Sequence, residues 1–196
     1  GIPVYMPWLG KKAYDGIMAA YTAASRKNGK KYIPLIKNAT QLYVIEKGAL
    51  CGVVLDGSYN LTEANYKTSL QNMVDRVLIT DKDGNQIGVV EDTAAQQKYG
   101  VVQTVYKQED GKDAQTEAKA LLQTLEQTGS VTGCPGDSRA VSGYALIVQE
   151  TTTGLFGKFY IESDTHTFTD GKHEMALTLA FSNMMDEKEI ENQSQG

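Results

Sequence analysis

The chain has 196 residues, 41% hydrophobic and 22% charged, values ordinary for a globular protein and sufficient for one large domain or two small ones. Its longest apolar run, Ala49–Leu55, is too short to cross a bilayer as a helix, which leaves no membrane-spanning helix to expect. The net charge of −5 is uneven: residues 1–48 hold eight basic against two acidic residues, a net +6, and the remainder carries −11.

Taken in chain order, the first element is a helix over Ala13–Asn28, with Tyr14, Ile17, Tyr21 and Ala24 on one stripe and Asn28-Gly29 as its stop. Three short strands follow, Lys31–Ile36, Gln41–Glu46 and Cys51–Leu55. This makes a small basic helix-plus-sheet domain over residues 1–58. The polar stretch Asp56–Asn65 marks the expected boundary. The second domain, residues 59–187, opens with a long strand over Leu70–Thr80, turns at Asp81–Asn85 and returns through Gln86–Val90. A short helix is expected over Asp92–Lys98, a strand over Val101–Tyr106, and an amphipathic helix over Asp113–Thr128, capped by Asp113 and ended by Gly129. Strands at Ser130–Thr132 and Tyr144–Gln149 lead to a terminal hairpin. The fold class predicted is α+β and β-rich, the second domain resembling a closed β-barrel because closure removes exposed edges. Residues 188–196 are expected to be a disordered acidic tail.

In the terminal hairpin, Met175, Leu177, Leu179 and Phe181 alternate with Ala176, Thr178 and Ala180, the pattern of a strand with one buried face. A two-residue Asp170-Gly171 loop carried through a regular ladder would put Glu162 on that face. A three-residue loop, Thr169-Asp170-Gly171, bulged at Gly171, instead pairs Phe159 with Phe181 and Ile161 with Leu179. That register collects Tyr160, Glu162, Asp164 and His166 on the opposite face.

Candidate chemistry is sparse. Glu162, Asp164 and His166, with His173 across the turn, have the donors for a metal or acid–base site but lack a second facing cluster, so a solvated or subunit-facing surface is the simpler reading. Asp81-Lys82-Asp83-Gly84-Asn85 has its Gly at position four of a would-be calcium loop, where an EF-hand needs it at six. Gly154–Lys158 is too short between its glycines for a P-loop. Cys51 and Cys134 have no CxxC partner and read as buried free thiols, in keeping with synthesis in a reducing cytoplasm. No residue is assigned a catalytic, cofactor-binding or metal role, and no cofactor is called for. Lysines among Tyr5, Tyr14, Tyr21, Tyr32 and Tyr43 allow stacking on single-stranded nucleic acid, although several of these tyrosines fall at core positions. The basic segment has two further readings, a plain solvated surface and packing against the acidic face of a neighbouring copy.

Three blocks carry a resemblance: Asn60–Gln103 with its strand–DKDG–strand and KYG, Asp110–Leu125 with its DAxxEAK cassette, and Gly154–Glu187 with FYIESDTHTF and MMDE. In this order they resemble the XkdQ-like tail hub proteins of defective prophages, contractile phages and phage-tail-like bacteriocins. The resemblance implies a non-enzymatic baseplate hub lying between tail tube and central spike, trimeric in its full-length form, with other hub copies, tube and spike proteins as partners. It also implies assembly into a virion or tail-like particle. The start at Gly1 and the lack of the family's further N-terminal barrel suggest a piece of a longer protein. The alternatives are a cell-wall hydrolase using Glu162, Asp164 and His166, and a nucleic-acid or glycan-binding module using the basic segment.

Overall fold

A computed structural model describes residues 2–4 and 12–189. The described chain forms two compact units, one made of residues 1–66 and 128–196 and the other of 67–127. This division differs from the expected one at residue 58. The strand over Leu50–Asp56 pairs in parallel with that over Ala145–Glu150, so the first fifty residues belong with the last seventy and the middle is an insertion.

The first unit begins with helix α1, Ala13–Asn28, ended by Gly29 in the left-handed region at φ 72 with its N–H on Ser25 O. The helix is as expected, but its buried face is rotated: Gly16, Met18, Ala19, Thr22 and Ser25 are buried, while Tyr14 is exposed. Strands β1 (Tyr32–Lys37) and β2 (Gln41–Glu46) form a separate antiparallel hairpin. Ile33 and Ile45 of this hairpin lie against Gly143.

A six-stranded sheet carries the main core. Its strands are β3 (Leu50–Asp56), β4 (Glu63–Ser69), β8 (Glu126–Pro135), β9 (Ala145–Glu150), β10 (Leu155–Thr169) and β11 (Lys172–Ala180), in the order β3-β9-β10-β11-β8-β4. The expected barrel does not close among the described residues, because the edge strands β3 and β4 have no ladder between them. The sheet instead curls. A Cβ on Gly129 of β8 would stand 3.1 Å from Leu155 of β10, two strands away, so the concave face supplies both sides of its own core. That core joins Leu55, Val131, Leu146, Val148, Leu155, Ile161, Leu177 and Leu179, each at most 2% exposed. The edge strand β4 is exposed over most of its length and polar, a composition that discourages pairing with foreign strands.

The terminal hairpin keeps the expected apolar pairs by a different route. Ile161 faces Leu179 and Phe159 meets Phe181 edge-on, ring centroids 5.1 Å apart. The loop has two residues, not three: Thr169 pairs Lys172, and Asp170 (φ 50) and Gly171 (φ 75) are both left-handed, as a turn matched to strand twist requires. The extra residue is absorbed inside β10, where the register shifts between Ile161 and Ser163. The bulge falls at Glu162, which is exposed.

The second unit has β5 (Arg76–Thr80) central between β6 (Gln86–Glu91) and a parallel β7 (Gln103–Lys107). Helix α2 (Thr93–Tyr99) is capped by Asp92, whose side chain accepts from the amides of Ala94 and Ala95. Helix α3 covers Ala114–Ala120, and its Ala118 packs on Val77 and Ile79. The predicted helix to Thr128 is therefore half as long. Val74 and Gln123 exchange backbone hydrogen bonds at 2.9 Å in both directions, which forces the chain out of the helix, and β8 starts at Glu126. The expected long strand over Leu70–Thr80 is likewise broken: residues 70–75 turn between β4 and β5. No helix among the described residues is long and apolar enough to cross a membrane.

Candidate functional site

The bulge at Glu162 decides which side chains meet. Beyond it, Asp164 pairs Leu177 and His166 pairs Met175, and directly opposed residues share a face. Asp164 and His166 thus turn to the core side, their side chains 21% and 15% exposed, while Glu162 does not join them. The expected grouping of Tyr160, Glu162, Asp164 and His166 on one face is broken in this way. His173, at the start of β11, takes the vacant place.

His166 Nε2 lies 3.1 Å from Ala140 O, and its Nδ1 lies 2.9 Å from His173 Nε2. A carbonyl only accepts, so Nε2 of His166 carries a hydrogen, and in the neutral ring Nδ1 is then the acceptor. In that tautomer His173 donates from Nε2, and its Nδ1 is the ring nitrogen left facing outward from the pair. Phe168 stacks on His173 at 4.0 Å and 16°. Gly136 N donates to His173 O, and a Cβ on Gly136 would stand 2.1 Å from the His173 ring. The ring is thereby clamped on three sides.

The carboxylates nearby are occupied. Asp164 Oδ1 accepts from Ser142 N at 2.6 Å. Asp137 accepts from Arg139 Nε at 3.0 Å and its terminal nitrogen at 2.7 Å. That fork, with the Arg139 amide, holds the Asp137 carboxyl down to about 2. A cleft of about 410 Å³ lies beside His173, lined also by Tyr59, Asn60, Thr62, Lys172 and Glu174. A second cavity of about 590 Å³ borders Asp164, Cys51, Arg139 and Tyr144. Among the described residues, no three His, Cys, Asp or Glu side chains are placed to share a metal ion. The hydrogen bonds of His166 and Asp164 order this part of the hairpin.

The other candidates resolve locally. Asp81 accepts from the amides of Asp83 (2.9 Å) and Asn85 (2.8 Å) and from Asn85 Nδ2. The Asn85 hydrogen bonds, first of all, hold the Asp81 carboxyl below the usual carboxylate range, and the loop is a turn. Gly154 (φ 82) is a turn residue, and Lys158 lies over the Tyr160 ring. Cys134 is buried, which pushes its thiol up, while Cys51 is only half-buried.

Three basic residues of the first 48 are paired with carboxylates of their own unit. Lys30 pairs Glu46 at 2.6 Å, Lys31 pairs Glu187 at 2.9 Å, and Arg26 pairs Glu189. Tyr14 donates to Asp186 and Tyr21 packs on Tyr32. Tyr5 lies outside the described residues. Residues 188 and 189, expected to be disordered, continue an ordered run along α1, and residues 190–196 lie outside the description. No periodicity announced this run; the only signal was its charge, opposite to that of α1.

A sequence model of the YQBQ-like family matches residues 5–180. The chain belongs to that family. It is 26% identical over 195 residues to the phage-like element PBSX protein XkdQ of Bacillus subtilis strain 168, covering 89% of this chain and 56% of that protein. Among solved structures, it is similar to the 43 kDa tail protein of prophage MuSo2 from Shewanella oneidensis, with TM-score 0.54 and 14% identity over 80% of this chain and 50% of that one. A tail protein from Neisseria meningitidis MC58 also matches, at TM-score 0.48 and 14% identity, covering 83% of this chain and 54% of the other. The YQBQ-like chain thus has the fold of a prophage tail protein, and spans about half the length of the relatives it matches. The XkdQ-like resemblance read from the three sequence blocks is the one found.

Proposed function

We propose that this chain is a structural part of a tail baseplate hub, joining tail tube to central spike and working without catalysis. The family match through residues 5–180 carries the reading. A clamped His166–His173 pair and an Asp164 held by the Ser142 amide suit a rigid hairpin better than a reactive centre. In the full-length protein the partners are further hub copies, in a trimer, with tube and spike proteins. The protein is made in the bacterial cytoplasm and ends in a phage tail or tail-like particle. Deleting the gene from the inducible element tests this. Induced lysates should lack tails with baseplates under the electron microscope, and the gene in trans should restore them. Normal tails from the deletion strain would overturn the reading.

The outward Nδ1 of His173 beside the 410 Å³ cleft favours one second reading, a cell-wall hydrolase. It requires that His173→Ala and Asp164→Asn abolish measurable peptidoglycan cleavage by the full-length protein. Lack of any cleavage by the unaltered protein removes it.

A further inference from the structure

The run from Asn183 to Glu189 has no regular structure and no backbone–backbone hydrogen bond among the described residues. It is nevertheless tied through six of its seven residues to α1 and the residues flanking the β1–β2 hairpin. Asn183 Nδ2 donates to Lys47 O at 2.8 Å, and Lys47 Nζ donates to Met184 O at 2.6 Å. Asp186 accepts from Tyr14, and Glu187 pairs Lys31. Lys188 N donates to Thr22 Oγ1 at 3.1 Å, and Glu189 pairs Arg26. The receiving face is basic and built on a helix; the segment is acidic, extended and held by side chains.

We infer that this face of α1 is a receptor for an extended acidic segment, and that it takes residues 183–189 of a second copy of the chain by exchange with its own. Three observations support exchange. The last firm anchor before the segment is Phe181, packed on Phe159 and Tyr66, so release leaves the sheet core untouched. Two of the ties that break are exposed or part-exposed ion pairs, individually weak and screened by salt, and the other four are single hydrogen bonds. Each broken tie re-forms identically in a reciprocal exchange, so no new complementarity is needed. The inference rests on these contacts and holds with or without the hub reading.

A charge-swap pair tests it. One chain carries Arg26→Glu with Lys31→Glu, the other Glu187→Lys with Glu189→Lys, all at exposed or part-exposed ion pairs. Each loses attraction within itself. A one-to-one mixture restores both pairs only by reciprocal exchange. Light scattering at low salt should show a mass near twice the monomer for the mixture, lost on adding salt, and monomer for each chain alone. A mixture whose mass is the average of its parts overturns the inference. A labelled peptide of residues 182–189 gives a second readout that needs no dimer. It should bind the Glu187→Lys, Glu189→Lys chain, whose own segment is displaced, at least about tenfold tighter than the Arg26→Glu, Lys31→Glu chain. Equal binding to both, or none to either, counts against the face as a receptor. Circular dichroism melts confirm that both chains are folded; if one is not, its neutral counterpart, Arg26→Gln with Lys31→Gln or Glu187→Gln with Glu189→Gln, replaces it in the peptide comparison.

Discussion

Ala39 sits at φ 60 in the β1–β2 loop, next to Asn38 at φ 53. An L side chain there costs about 1–2 kcal/mol, of which glycine recovers most while losing about 0.4–1 kcal/mol to its freer unfolded state. Ala39→Gly should therefore stabilise the protein by about 0.5–1 kcal/mol in urea unfolding; a loss of stability would show that the methyl makes a compensating contact. Glu150 is a second residue whose surroundings set its behaviour. The Thr153 hydroxyl, then the amides of Thr153 and Thr152, hold its carboxyl down from 4.5 to about 2. A depressed folded value means the stabilisation is whole above pH 4.5 and drains away as pH falls toward 2. Melting temperatures of the unaltered chain and Glu150→Gln should differ at pH 7 and converge across that window. A difference that persists at pH 2 would assign the loss to packing. Both residues fall just outside the predicted strands, but neither the left-handed Ala39 nor the capped Glu150 was legible, because each depends on loop geometry set by the strands it joins.

At the scale of elements, the terminal hairpin is the informative case. Alternation from Met175 to Phe181 identified the buried face, and Met175, Leu177 and Leu179 are all at most 2% exposed. The need to pair Ile161 with Leu179 was equally visible. Alternation on β11 does not say where on β10 the odd residue goes, because a bulge at the turn and a bulge at Glu162 satisfy Phe159 and Ile161 alike. The two placements differ only beyond the bulge, where they send Asp164 and His166 to opposite faces. Deleting Glu162 should therefore give a regular ladder with every apolar side chain on its present face, and a folded protein. Deleting Asp170 should slip the tip and displace His166 from Ala140 O. The imidazole proton and nitrogen resonances of His166 report which occurs, and a deletion of Glu162 that perturbs them as strongly as loss of Asp170 would contradict the assigned bulge. Helix α3 makes the same point: its apolar stripe ran on to Leu125, yet the bridge from Val74 to Gln123 ended it at Ala120.

For the whole molecule, the insertion of residues 67–127 between Tyr66 and Thr128 has a direct consequence. The core of the six-stranded sheet draws no residue from that span. Replacing Lys67–Gln127 by a short Gly/Ser linker should leave a chain that still melts cooperatively with native near-ultraviolet dichroism; loss of the transition would show that the sheet depends on the insertion. The sequence alone determined the β-rich α+β class, helix α1 and its Gly29 stop, most strand positions, the buried face of β11 and the family, since all of these follow from local periodicity, caps and short ordered motifs. Only the tertiary structure decided which distant strands pair, where the β10 bulge falls, and that the acidic run after β11 lies on a basic helix 160 or so residues earlier in the chain. Those outcomes depend on long-range partners, and a side chain's local spacing carries no record of the partner it will meet.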